Sequence, residues 1–189
     1  MFAQIVLLIV GTIFGFITLV LLARFFMQWG RVSFRNPIGH FVITVTDWIV
    51  MPTRRVIPGL FGLDMASLLL AWVAQMLHVM IIAGLGFLRM STLFVIPLLG
   101  LLGLARMATY LIFGVVLVSV VLSWVGARTP LAYVFDELSR PFLAPFRRVI
   151  PPLGGIDLSP LVLLLILRIV QIFIDGLWDS LRMLPLSGY

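Results

Sequence analysis

The sequence predicts an all-α integral membrane protein with four transmembrane helices, arranged as two tandem, parallel helical-hairpin repeats. Composition is the first reason, because 62% of the 189 residues are hydrophobic and only 11% are charged, which is too apolar for a soluble domain of this size. The second reason is a thirteen-residue segment, 52–64, that recurs as 145–157 with nine identical positions at a constant offset of 93. Each copy lies between two apolar runs, which is typical of a repeat inside a membrane.

Four segments are long enough to cross a hydrocarbon core about 30 Å thick, which takes roughly 20 helical residues. They are Gln4–Trp29, Met65–Leu88, Leu98–Trp124 and Ser159–Trp178. The first is predicted as a retained anchor, because it lacks the basic start and the small-residue exit of a signal peptide. Ser159 and Pro160 suit the cap and first turn of the fourth span. Trp29, Trp124 and Trp178 are predicted to lie at the membrane interface.

The apolar stretch 90–105 is short and is interrupted by Pro97, Gly100 and Gly103. As a separate span it would invert the second repeat, so that two nearly identical charged segments faced opposite compartments. We therefore predict that its first half is an interfacial loop and its second half begins the third span. The repeats are predicted as 1–91 and 92–189.

Arginine distribution predicts the topology. The loops after spans one and three hold eight arginines: Arg31, Arg35, Arg54, Arg55, Arg128, Arg140, Arg147 and Arg148. The other side holds three: Arg89, Arg106 and Arg182. Because cytoplasmic loops carry the excess of basic residues, both loops are predicted to be cytoplasmic and both termini to lie outside.

Each of these loops contains an amphipathic stretch, which predicts a helix lying in the plane of the interface. Pro37 and Pro130 are predicted to open these helices, and Pro52 and Pro145 to help stop them. The apolar faces are Ile38, Phe41, Val42, Val45, Trp48 and Ile49 in the first, and Leu131, Val134, Phe135, Leu138 and Phe142 in the second. A turn that carries two arginines is predicted to follow each helix.

The repeated motif is the first candidate site. Its residues are Arg54, Arg55, Pro58, Gly62, Asp64, Arg147, Arg148, Pro151, Gly155 and Asp157. Paired guanidinium groups at an interface can hold lipid phosphates, and the proline and glycine predict a tight turn that aims them. The aspartates can pair back to the arginines or cap the next span. Anchoring by positive charge alone also explains the arginines, although it does not require identical spacing.

Polar residues inside spans two and four form the second candidate site: Gln75, His78, Arg168, Gln171 and Asp175. A charge near the middle of a span, such as Arg168, costs about 3 kcal/mol. At the 93-residue offset Arg168 corresponds to Gln75 and Gln171 to His78, so the two faces are predicted to meet each other or a partner. Two interpretations explain these polar residues. They form hydrogen bonds that fix the packing of the helices, or they line a hydrated path or a binding site.

Other polar residues carry less information. Arg24 and Arg106 are predicted to extend along the span to the interface. Gly11 with Gly15, and the Gly100 and Gly103 pair, predict close helix approach within the chain or between copies.

No enzyme signature is present in the sequence. It has no cysteine, and it lacks a nucleotide-binding glycine loop, a metalloprotease helix and a hydrolase nucleophile elbow. His40 and His78 are predicted at different depths, which disfavours a haem site. We therefore expect no enzyme activity, no cofactor, no metal and no nucleic-acid partner.

Two spans per repeat and a loop ending in P-x-R-R-V-I-P, followed by G-x-D, resemble the YggT family of bacterial inner-membrane proteins. The resemblance covers essentially the whole chain. It implies osmotic-shock tolerance, potassium or solute balance, and links to cell division and nucleoid distribution. A chloroplast relative assists haem attachment to a cytochrome b protein. The family has no agreed catalytic residues.

Two hypotheses follow. The chain is a non-catalytic scaffold or assembly factor that binds anionic lipid headgroups or membrane-protein partners. Alternatively, it is a subunit of a homo-oligomeric pathway for a small solute or potassium.

Overall fold

Six α-helices make up the part of the chain that the structure describes. The structure is a computed structural model of the chain, and it describes residues 2–59, 62–87, 95–126, 129–150 and 157–183. The helices are α1 (Phe2–Trp29), α2 (Pro37–Val56), α3 (Met65–Ile82), α4 (Ile96–Trp124), α5 (Pro130–Val149) and α6 (Ser159–Met183). A π-helical segment, Ala83–Phe87, extends α3. α1, α3, α4 and α6 are long and apolar enough to cross a membrane, which confirms the four predicted spans.

The structure describes residues 95–105 of the interrupted stretch 90–105. α4 begins at Ile96, two residues before the predicted start, and Pro97 lies in its first turn, where a missing N–H costs nothing. Gly100 and Gly103 lie inside the helix. The second half of the stretch therefore begins the third span as predicted, while 90–94 lies outside the described residues.

Prolines open both surface helices, as predicted. Pro37 and Pro130 occupy the first turns of α2 and α5. Each follows a polar cap. The side chain of Asn36 accepts a hydrogen bond from the Gly39 N–H, and the side chain of Thr129 accepts one from the Ala132 N–H.

The prediction that Pro52 and Pro145 stop these helices is wrong. α2 continues to Val56 and α5 to Val149, so both prolines lie inside a helix. A proline one turn from a helix end removes a single internal hydrogen bond, and later residues can still close the turn. The Ile57 N–H bonds to the Thr53 carbonyl at 2.9 Å. Both arginine pairs therefore lie in the last helical turn rather than in a turn after the helix.

The helices pack as one body. α3 lies against α1 and α4, and α4 also contacts α1 and α6. α2 packs on α1 and α3, and α5 packs on α4 and α6. Aromatic rings join the first half to the second. The centre of the Phe142 ring of α5 lies 5.5 Å from the ring centre of Phe26 and 5.3 Å from that of Trp29.

Glycines permit the close approach of α3 and α4. A Cβ added at Gly100 would lie 2.6 Å from Cγ and 3.2 Å from the backbone nitrogen of Met76. A Cβ at Gly103 would lie 2.5 Å from the Oε1 atom of Gln75. The predicted close contact is therefore made within the chain, between spans two and three.

Gly100→Ala is expected to destabilise the protein by about 1–3 kcal/mol, because the backbone of α3 has to move away. The measurement is the free energy of unfolding in mixed micelles. Gly114→Ala is the matched control in the same helix, since a Cβ there meets no atom within 4 Å. Equal stability of the two variants would contradict the assigned helix contact.

Candidate functional site

Asp64 is the centre of a buried polar cluster where α1, α2 and α3 meet. Its side chain is 1% exposed. Oδ1 accepts a hydrogen bond from the Ser67 N–H and Oδ2 accepts one from the Ser67 hydroxyl, which caps α3. Arg54 donates to both oxygens, from Nη2 at 2.6 Å and from Nε at 3.2 Å. Asp64 thus pairs back to an arginine and also caps the next span.

Arg24 is the main residue that sequence reasoning missed. It does not extend to the interface as predicted; it is 4% exposed. Its Nη1 donates to Thr46 Oγ1 at 2.6 Å and to Asp47 Oδ1 at 2.7 Å. Its Nε lies 3.4 Å from Asp64 Oδ2, a salt bridge without the alignment of a hydrogen bond. Two arginines and two aspartates therefore alternate in one network, and their charges balance.

Gln28 joins this network to the turn that follows α2. Its Oε1 accepts a hydrogen bond from Arg54 Nη2 at 3.0 Å, and its Nε2 donates to the Gly62 carbonyl at 3.1 Å. Gly62 has φ +80°, a left-handed conformation that favours glycine. Pro58 is exposed just after the helix. The motif therefore fixes the turn against the end of α1.

Hydrogen bonds determine the ionisation of Asp64. Burial works to raise the pKa of this carboxyl group, but hydrogen bonds from Arg54 and Ser67 outweigh burial and hold the pKa below its ordinary value of 3.8. A lowered pKa in the folded state stabilises the fold fully above the ordinary pKa, and this stabilisation is lost as the pH falls through the lowered value.

The melting temperature is therefore expected to stay level from about pH 7 to about pH 5 and to fall below about pH 4. Asp64→Asn should show a smaller fall over the acid range, since the substituted side chain does not titrate. Parallel curves for the two proteins would show that Asp64 does not supply this acid sensitivity. The measurement is thermal unfolding followed by circular dichroism in a detergent without titratable groups.

The second copy of the motif is more open. Arg147 Nε donates to Asp157 Oδ2 at 2.8 Å, and the two side chains are 43% and 38% exposed. Asp157 Oδ1 accepts a hydrogen bond from the Ser159 N–H, so Asp157 supplies the capping oxygen predicted for Ser159. Pro151 and Gly155 lie outside the described residues. The same arginine and aspartate positions are thus paired in both copies, but only the aspartate of the first copy, Asp64, is buried.

The two arginines of each pair differ in their contacts. Arg54 and Arg147 are bound to aspartates. Arg55 and Arg148 are exposed, and no salt bridge of either is found in the described part of the chain. The first arginine fixes the local structure, which leaves the second to face the surroundings.

Polar residues of α3 contact α1. Gln75 Nε2 donates to Thr18 Oγ1 at 2.9 Å, and both side chains are buried. The His78 ring stacks on Phe14, with centroids 6.0 Å apart. These contacts support the interpretation that the residues fix helix packing.

Polar residues of α6 contact α4. Asp175 Oδ1 lies 2.6 Å from Nη2 of Arg106, whose guanidinium group lies 5.2 Å from the centre of the Trp178 ring. Arg106 therefore pairs with a neighbouring helix, and the Trp178 side chain is buried against residues of α3 and α4. The interfacial position of both residues stays a prediction. Gln171 is buried and accepts a hydrogen bond from Arg168 at 3.2 Å.

The predicted meeting of the polar faces of spans two and four is not what these contacts show. Among the described residues of the two predicted faces, Gln75 and His78 of α3 contact α1. Asp175 of α6 contacts α4, and Arg168 bonds to Gln171 within α6. Arg168 itself is exposed on the outer side of α6.

Four membrane-length helices with two shorter helices packed on them define a multi-pass helical membrane protein. The chain belongs to the CCB3/YggT family, whose family model matches residues 3–85 and 98–178. The protein YggT of Escherichia coli K12 is 37% identical over 186 residues, which cover 92% of this chain and 97% of that protein. A Vibrio alginolyticus protein from the proC 3' region is 39% identical, covering 82% and 85% of the two chains.

A third relative, protein PA0392 of Pseudomonas aeruginosa, is 32% identical over 173 residues, which cover 88% of this chain and 86% of that protein. No solved structure matches the chain. The family suggested by the repeated motif is thereby confirmed.

Proposed function

We propose that the protein is a non-catalytic scaffold of the bacterial inner membrane, built from two tandem parallel repeats whose surface helices bind anionic lipid headgroups or a membrane-protein partner. The two segments matched by the family model support the repeat. The excess of arginines in the loops that contain α2 and α5 supports a cytoplasmic location for these helices. Osmotic tolerance and organisation of the envelope or of cell division are the roles that the family resemblance suggests.

This proposal rests on the different contacts of the two arginines in each pair. Arg54 and Arg147 are held by aspartates, whereas Arg55 and Arg148 are exposed at the ends of their helices. An exposed guanidinium group for which the described residues provide no salt bridge is suited to a phosphate of a lipid headgroup.

Exposed apolar residues on α2 point to the same membrane surface. Phe41, Trp48 and Arg55 are spaced by seven residues and so lie along one face of the helix. Trp48 is 73% exposed and Phe41 is 51% exposed. An apolar row that ends in an arginine fits the boundary between acyl chains and headgroups.

The test uses native mass spectrometry of protein purified from membranes that contain phosphatidylglycerol. Arg55→Ala with Arg148→Ala should remove retained phosphatidylglycerol and should abolish recovery of a deletion strain after osmotic shock, at unchanged protein abundance. Arg35→Ala is the control, because Arg35 is also exposed but lies outside the motif. Full lipid retention and full recovery in the double variant would overturn the proposal.

Arg168 favours the second candidate, an oligomeric pathway for a small solute or ion. It is exposed about nine residues into α6, at a depth where exposure of a charge to lipid costs about 3 kcal/mol. A neighbouring copy of the chain would cover it. In liposomes, a solute or potassium flux that is lost in Arg168→Ala would support this candidate over the scaffold.

A further inference from the structure

The second half of the molecule contains a polar cavity that the first half fills with its own side chains. The cavity lies between α4, α5 and α6, and its volume is about 280 Å³. Its polar lining comprises Ser119, Ser123, Asp136, Arg147 and Asp157. Three of these residues, Ser119, Ser123 and Asp136, belong to neither the predicted sites nor the motif, so the motif alone does not account for the cavity.

Equivalent positions in the two halves show what differs. Arg24 and Ser119 each lie five residues before the tryptophan that ends α1 or α4. Thr46 and Ser139 each lie nine residues after the proline that opens α2 or α5. Arg24 Nη1 donates to Thr46 Oγ1 at 2.6 Å, and Ser139 Oγ donates to Ser119 Oγ at 3.1 Å. The same two positions are therefore in contact in both halves.

Replacing a long side chain by a short one opens this space. The guanidinium group of Arg24 fills it in the first half, where the Asp64 side chain is 1% exposed. Ser119 leaves it open in the second half, where the equivalent Asp157 is 38% exposed. Gln28 is likewise matched by Ser123, since each directly precedes the final tryptophan.

The charge of the lining is negative. Asp136 and Asp157 contribute two carboxylates, against the single guanidinium group of Arg147, which is already bound to Asp157 at 2.8 Å. Arg140 Nη2 lies 3.2 Å from Asp136 Oδ2. Arg140 is not part of the cavity lining, and its side chain is 64% exposed. A cation with several N–H donors would complete this set of carboxylate and hydroxyl acceptors.

We propose that this cavity binds a guanidinium group supplied from outside the chain, in the place where the first half holds Arg24. Its N–H groups would donate to Asp157, Asp136 and the Ser119 hydroxyl. Arg24 likewise donates to a carboxylate and a hydroxyl, those of Asp47 and Thr46, although the equivalent positions in the second half are Arg140 and Ser139. A free small cation and the arginine side chain of another protein share this chemistry, so both sources are probed.

The binding test is isothermal titration of the purified full-length protein in micelles. Methylguanidinium represents a free cation, a capped tripeptide with a central arginine represents a side chain, and methylurea is the neutral control of similar shape. Saturable binding of methylguanidinium or of the peptide at millimolar concentration, with none of methylurea, is the expected result; the tighter of the two cationic probes identifies the source. No saturable binding of either, or equal binding of methylurea, would overturn the proposal.

Two variants test the location. Ser119→Arg supplies the guanidinium group internally and should abolish binding. Arg24→Ser opens the equivalent space in the first half and should add a second binding site, with a gain in melting temperature on adding methylguanidinium. Should Ser119→Arg fail to fold, Asp157→Asn serves in its place and should weaken binding by about tenfold or more. Unchanged affinity in the folded variant would refute the assigned site.

Discussion

Asp64→Asn is expected to lower the free energy of unfolding by about 3–5 kcal/mol, because it leaves two arginines beside a neutral amide in a buried site. The same substitution at the equivalent Asp157 is expected to cost only about 0–1 kcal/mol, since its salt bridge with Arg147 is open to solvent. The side chains of the two aspartates are 1% and 38% exposed. Asparagine keeps the size of the side chain and can still cap a helix, so the difference isolates the charge.

The measurement is unfolding in mixed micelles, followed by tryptophan fluorescence. Asp157→Asn is the matched control, because it stands at the same motif position and caps the following helix. An equal loss of unfolding free energy in both variants would contradict the prediction. It would show that the difference in burial between Asp64 and Asp157 does not determine the strength of their salt bridges.

Arg24→Leu is expected to have an effect of similar size, a loss of about 3–5 kcal/mol, since it removes the partner of Asp47 and one of the two cations beside Asp64. Arg24→Lys should recover only part of the loss. A lysine keeps the charge and could donate to Thr46 and Asp47 from one nitrogen, as Nη1 does at 2.6 and 2.7 Å, but it has no second nitrogen to lie beside Asp64 as Nε does at 3.4 Å.

Arg55→Leu serves as the control for Arg24→Leu, because Arg55 is exposed at the end of α2. Its unfolding free energy should stay within about 0.5 kcal/mol of the parent protein. A stable, normally folded Arg24→Leu protein would contradict the assignment of Arg24 to the buried network.

Spans and helix starts could be predicted from the sequence because they depend on local chemistry. An apolar run bounded by Trp29 or Trp124 has to cross the membrane, and a proline such as Pro37 after a polar cap favours a helix start. The prediction for Pro52 is wrong because a proline stops a helix only when no other contact stabilises the next turn. Here Arg54 is bound by Asp64, and this contact depends on the position of α3.

Half of the candidate site could be predicted and half could not. The repeated spacing indicated that Asp64 pairs with an arginine and caps a span. The position of Arg24, five residues before Trp29, predicts an interfacial side chain, because no local pattern shows on which side of α1 a neighbour packs. The acidic residues of adjoining elements, Asp47 and Asp64, were the available signal. They show that a buried cation was needed nearby, although not which arginine would supply it.

The aromatic contact between the halves has a mechanical consequence. The Phe142 ring of α5 contacts the rings of Phe26 and Trp29. These two residues lie in the last turns of α1, which also carry Arg24 and Gln28. If lateral tension tilts α5, these rigid rings therefore transmit the movement to the network of Arg24, Asp47, Asp64 and Arg54 in the first half. Under stretching of the bilayer, the chain is expected to yield as a single body, and not as two hairpins sliding past each other.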